Sequence, residues 1–224
     1  MDVNQVYELM LDIIAKNKQQ GYLSPDEFNR YINQAQRSYL DYLLGEYQKY
    51  MVQRPIAVVQ FGENQRIRQS LAPLIYGAIL SPNAGTGIAA FPSDYEQVDA
   101  MWGAGNYYNI RFVQQDRLSS YLNSRIDPIA TNPIYLIQHE GFHFFPQNLG
   151  NTRLSYVRTP PSIIWGYDED ANSIPVYNAS KSQNPIWSET DILQIIVRAL
   201  QFAGVSLSFG VVLQYSNDVK NGGQ

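Results

Sequence analysis

His139-Glu140-Gly141-Phe142-His143 reads as H-E-x-x-H, a string in which two imidazoles hold a zinc ion and the glutamate activates water. These are the only two histidines in the chain. The chemistry needs a helix, because spacing i, i+4 then stacks both rings over one metal. The flanks point elsewhere: Pro133 and Pro146 bracket the string, and Gly141 sits at its centre. Ile134-Tyr135-Leu136-Ile137 and Phe142-His143-Phe144-Phe145 are rich in β-branched and aromatic side chains. A Glu140-Gly141 turn would join them as a hairpin, pairing His139 with Phe142 and Gln138 with His143. Neighbours on a strand alternate faces, so the imidazoles then point to opposite sides. A glycine bulge would shift that register by one. The expectation is a hairpin that holds no metal. A helix over 134–146 would favour a metallohydrolase built on His139, Glu140 and His143, with a distant carboxylate as third ligand.

Other strings offer less. Asp168-Glu169-Asp170-Ala171-Asn172 copies the opening of a calcium loop, but Ser173 replaces the sixth-position glycine and Ala179 the twelfth-position glutamate. An exposed acidic turn is expected there. The glycine loops at 83–87 and 102–106 lack the lysine and following helix of a phosphate cradle. Without cysteine there is no thiol nucleophile, and two histidines in a hairpin leave little for a Ser-His-Asp triad. No carboxylate pair for sugar hydrolysis stands out. Trp102, Trp165 and Trp187 give an alternative reading as a glycan-binding module. Alternation instead sets Tyr108, Ile110 and Phe112 on one strand face as core. No catalytic residue, metal ligand or cofactor is expected.

The chain has 224 residues, of which 45% are hydrophobic and only 16% charged. That charge is well below the usual quarter or so; Asn, Gln, Ser and 17 tyrosines carry the polarity. Such a surface suits lasting contacts with protein. A net charge of −4 argues against gripping nucleic acid through its phosphates. The absence of cysteine fits a reducing compartment. The start, MDVNQVYELM, lacks a basic leader region. Residues 192–213 are apolar but interrupted by Arg198, Gln201, Ser206 and Ser208, so no membrane span is expected.

The surrounding elements divide by pattern. Val3, Val6, Met10, Ile13 and Ile14 recur at helical spacing over 3–20. Ser24-Pro25-Asp26-Glu27 is a capping box that opens a long helix from 25 to about 49, antiparallel to the first. From 54 to 184 prolines and glycines punctuate short apolar runs. Strands are expected at 56–61, 74–80, 87–91, 91–103 and 107–113, with helical turns at 63–72 and 116–123. Residues 134–139, 142–146 and 152–158 read as an antiparallel meander, and 160–187 as irregular. Ser188 caps a helix whose stripe is Ile192, Ile195, Ile196, Ala199, Phe202 and Ala203, ended by Gly204. A last helix is expected over 207–219. The fold class is α+β: a helical hairpin over 1–52, a β-rich insertion over 53–187, and C-terminal helices over 188–224 that form a bundle with the first.

Taken in order, GYLSPDEFNRYINQAQRSYLDYL, FPSDYEQVDAMW, FHFFP, TRLSYVRTPP, ILQIIVRALQFAGVSL and LQYSNDVK resemble virion proteins of tailed phages, in particular crAss-like and related Bacteroidetes phages. By extension the chain resembles the head-to-tail connector, or adaptor and tail-tubular, proteins of short-tailed phages. The resemblance implies a structural, non-enzymatic subunit, assembled in the host cytoplasm into a homo-oligomeric ring of commonly about twelve copies. Such a ring docks on the portal protein at the capsid–tail junction, next to further tail rings. DNA passes through its channel without specific binding. The last helix and tail would dock on the portal or a neighbouring ring through Gln214, Tyr215, Asp218 and Lys220.

Overall fold

The computed structural model describes residues 1–17, 22–52, 61–105, 108–123 and 128–204, and of residues 47–52 and 61–64 the backbone alone. Helices α1 (Val3–Asn17), α2 (Pro25–Val52) and α3 (Phe61–Leu71) come first. Strands β1 (Ile75–Leu80), β2 (Ile88–Ala89), β3 (Tyr95–Gly103) and β4 (Arg111–Phe112) follow, then helix α4 (Leu118–Leu122). Strands β5 (Ile134–Gln138), β6 (Gly141–Phe145), β7 (Thr152–Arg158), β8 (Tyr167–Glu169) and β9 (Pro175–Tyr177) precede helix α5 (Glu189–Phe202). The protein is mixed α+β with chiefly antiparallel sheets. It divides into a helical unit, Met1–Pro73 with the chain from Pro160 onward, and a β unit, Leu74–Thr159. This division differs from the expected boundaries at 52/53 and 187/188: α3 and the stretch 160–187 belong with the helices.

In the helical unit the expected capping box forms. Glu27 N–H donates to Ser24 Oγ at 3.3 Å and Ser24 N–H donates to Glu27 Oε2 at 3.1 Å. That backbone bond, with the Ser24 hydroxyl, holds the half-buried Glu27 carboxyl below its ordinary range. Phe28, Ile32, Ala35, Tyr39, Leu40 and Leu43 bury one stripe of α2, and α5 contributes Ile192, Ile195, Ile196, Ala199 and Leu200. Phe202, expected in that stripe, is 41% exposed, since the register runs through Leu200 instead. Asp191, 5% exposed, joins three helices: Tyr39 Oη donates to its Oδ1 at 2.6 Å, Ser70 Oγ to the same oxygen at 3.0 Å, and Ser188 Oγ to Oδ2 at 2.6 Å.

The stretch 160–187 is more ordered than expected. It begins as an extended segment beside α2 and continues as the β8–β9 hairpin, with Tyr167 paired to Tyr177. The apparent calcium loop is the turn of this hairpin. Asp170 Oδ1 accepts the Asn172 and Ile174 N–H groups, and Lys181 Nζ pairs with Asp168.

The β unit is two sheets, in order β1-β7-β3 and β2-β6-β5-β4. Leu80, Ala89, Met101, Tyr135, Phe142, Phe144, Leu154 and Tyr156 fill the space between them. On the reverse side of β5, Ile134 and Leu136 pack with Val113, Leu118 and Tyr121. The expected meander is therefore corrected. β5 and β6 form a hairpin, but β7 crosses to the centre of the other sheet, where it pairs antiparallel with β1 and β3. Tyr156 and Val157, on opposite faces of β7, are each 5% exposed. Tyr108 and Phe112 are also corrected: they are 40% and 53% exposed, and Ile110 and Val113 are the buried members of that run. β4 is only two residues long, so alternation does not persist across it. The expected helix 207–219, residues 56–60 of an expected strand, residues 18–20 of the first helix and residue 107 of another strand lie outside the described residues.

Candidate functional site

The H-E-x-x-H string is a hairpin, as its flanks predict. Leu136 pairs with His143, Ile137 with Phe142 and Gln138 with Gly141, which leaves His139 and Glu140 as the turn. The pairing thus differs by two residues from the expected one, in which Glu140 and Gly141 formed the turn. A two-residue shift leaves every side chain on its original face. Gly141 explains the difference. Its φ of +136° is a glycine conformation, and a Cβ there would lie 2.1 Å from the Ala89 carbonyl oxygen. Only glycine lets β2 close on β6 at this point.

His139 is exposed in the turn, whereas His143 lies within β6, its ring centroid 4.6 Å from that of Phe145. Both His143 ring nitrogens are enclosed and have no hydrogen-bond partner among the described residues. No group of three or more Asp, Glu or His side chains among those residues could hold a metal ion. The helix that a metallohydrolase would require over 134–146 is replaced by two strands.

Two of the three tryptophans of the glycan reading are buried. Trp165 and Trp187 are 4% and 5% exposed and are structural. Trp165 packs on Tyr7 at 4.5 Å between ring centroids, and its Nε1–H donates to Asn4 Oδ1 at 2.9 Å. Trp187 Nε1–H donates to Gln36 Oε1 at 2.9 Å. Trp102 belongs to β3 of the other unit. A cleft of about 360 Å³ beside β4 is lined by Phe112, Val113, Gln114, Arg117 and Tyr121. The expected docking residues Gln214, Tyr215, Asp218 and Lys220 lie outside the described residues.

Two features of the structure are not announced by any sequence motif. One is a row of side-chain amides on α2. Asn29 bonds both the N–H and the C=O of Trp165, at 2.7 and 3.2 Å. Asn33 does the same to Ile163, at 2.8 and 2.7 Å, and Gln36 donates to the Pro161 carbonyl at 3.0 Å. The helix thus acts as a neighbouring strand for an extended segment. Four helical residues rise about 6 Å, close to the roughly 6.6 Å of two strand residues. The accumulating mismatch is met at the third position by glutamine, which is longer by one methylene. The spacing i, i+4, i+7 of Asn29, Asn33 and Gln36 is visible in the sequence, although their common partner is not.

The second feature is apolar exposure on a surface with little charge. Ile79, Ile129, Phe112 and Ile137 of the β unit are 66%, 55%, 53% and 47% exposed, and Ile174 and Val176 on the β8–β9 hairpin are 56% and 53% exposed. Each is a large apolar side chain left in solvent on a chain with few charges. No helix among the described residues is long and apolar enough to cross a membrane. Comparison with models of known protein families and with curated proteins gives no match.

Proposed function

We propose that this chain is a structural subunit of a phage particle: a non-enzymatic component of the head-to-tail connector that closes into a ring on the portal and surrounds part of the DNA channel. In this reading α1 and α2 form an antiparallel pair that bundles with α5 and the C-terminal segment. The β unit carries contacts outward or toward the next ring. Gln214, Tyr215, Asp218 and Lys220 face the portal or a neighbouring ring. The order of sequence segments resembling connector proteins supports the phage assignment. The observation that carries the reading is exposed apolar surface on both units of a chain with only 16% charged residues. A net charge of −4 suits a channel wall along which DNA slides.

Mass photometry of the purified chain, alone and with the portal protein of the same phage, tests this. A ring near twelve subunits that shifts onto the portal is expected. A chain that stays monomeric and ignores the portal overturns the reading.

A further inference from the structure

We propose that the free edge of β1 pairs with β1 of a second copy of this chain, antiparallel and centred on Gly77. β1 is the outer strand of the β1-β7-β3 sheet, and among the described residues no strand pairs with its other side. The direction of its backbone groups follows from the far edge of the sheet. Gly103 N–H donates to the Tyr108 carbonyl and Ile110 N–H to the Met101 carbonyl, so Met101 and Gly103 turn away from β7. Backbone direction alternates along an antiparallel ladder. Arg153, opposite Trp102, therefore turns toward β3, while Thr152, Leu154 and Tyr156 turn toward β1. Their partners Leu80, Ala78 and Tyr76 are satisfied by β7. Ile75, Gly77 and Ile79 are left with three N–H and three C=O groups facing outward.

Among the described residues this edge carries none of the usual protection. Its six pairs with β7 run without a bulge, and residues 74–81 contain no proline and no charged side chain. The occupant follows from self-complementarity. Centred on Gly77, Ile75 meets Ile79 of the other copy, Gly77 meets Gly77, and Ile79 meets Ile75, so all six groups on each edge are used. No charge is brought against a like charge. The flanking Ile79 side chain, 66% exposed, gains an apolar neighbour on the outer face. On the inner face Tyr76, 44% exposed, comes beside Ala78 of the other copy. One strand edge buries less than the roughly 1,000 Å² of lasting complexes, so the dimer is a weak, reversible one. The contact is two-fold and closes after two copies, so it neither needs nor builds the ring.

The chain lacks cysteine, which allows a direct test with Gly77→Cys. A Cβ at Gly77 meets nothing closer than the Leu154 carbonyl at 4.0 Å. Hydrogen-bonded antiparallel partners have Cα atoms about 5.5 Å apart, within reach of a disulfide. Under mild oxidation G77C is expected to form covalent dimer at least about tenfold faster than G150C, a control at an exposed glycine with open space around it. Adding Ile79→Lys should return G77C to the control rate while the circular dichroism spectrum is unchanged. Cross-linking no faster than the control, or sedimentation of the wild-type chain as a monomer up to about 100 µM, overturns the proposal. A ring without the 77–77 cross-link contradicts this inference and leaves the connector reading standing; a dimer without a ring does the reverse.

Discussion

Gly141 and His143 show how the same five residues build a hairpin in place of a metal site. Gly141 has a positive φ and no room for a Cβ against Ala89. Gly141→Ala should therefore cost about 2–3 kcal/mol or more, seen as a lowered Tm by calorimetry. His143 encloses two nitrogens that bond to nothing among the described residues. Replacing such a group by an apolar one is close to neutral. His143→Leu is expected to leave stability within about 1 kcal/mol of wild type in urea denaturation; a loss above about 2 kcal/mol would mean that the imidazole holds a partner. Buried tyrosines give a pH prediction. Burial, then Tyr22, pushes Tyr7 up to about 12, and burial, then Tyr95, does the same to Tyr135. Burial, then the Asp191 hydrogen bond, raises Tyr39 as well. Their folded values lie above the unfolded value near 10. Their contribution is thus complete below about pH 10 and is lost as pH rises toward 12 and beyond. Ultraviolet titration should show a group of tyrosines ionising only as the fold melts. Ionisation of all tyrosines near pH 10 in a folded chain would contradict this burial.

At the scale of elements, the amide row of α2 makes the clearest prediction. Asn33→Ala leaves the N–H and C=O of Ile163 without their partner in a half-buried setting, at a cost of about 1–3 kcal/mol. Chemical denaturation should show that loss, and an unchanged midpoint would mean that water replaces the amide at no cost. Local chemistry was legible wherever it is written in adjacent residues. The Ser24–Glu27 box, the Ser188 cap and the extended arms flanking Gly141 all fold as their spacing requires. What escaped depends on partners far along the chain. Nothing in TRLSYVR says that β7 abandons β6 for a place between β1 and β3, since alternation marks a strand without choosing its sheet. The hairpin register lies two residues from the one its local sequence favours because the demand on Gly141 comes from Ala89, about fifty positions away. Asn29, Asn33 and Gln36 read as an ordinary polar face until the 161–165 segment lies against them.

At the scale of the whole molecule, the helical unit is discontinuous in sequence, and the β unit is inserted between its halves. Each unit has its own core, and each leaves large apolar side chains in solvent. A chain with so few charges risks aggregation if such surface stays bare, and the proposed incorporation into a particle would remove that risk. The most direct test is quantitative mass spectrometry of gradient-purified phage particles. The account predicts this chain in the particles at a fixed ratio to the portal protein, close to one to one. Its absence from purified particles, with the chain present only in infected-cell extract, would contradict the account.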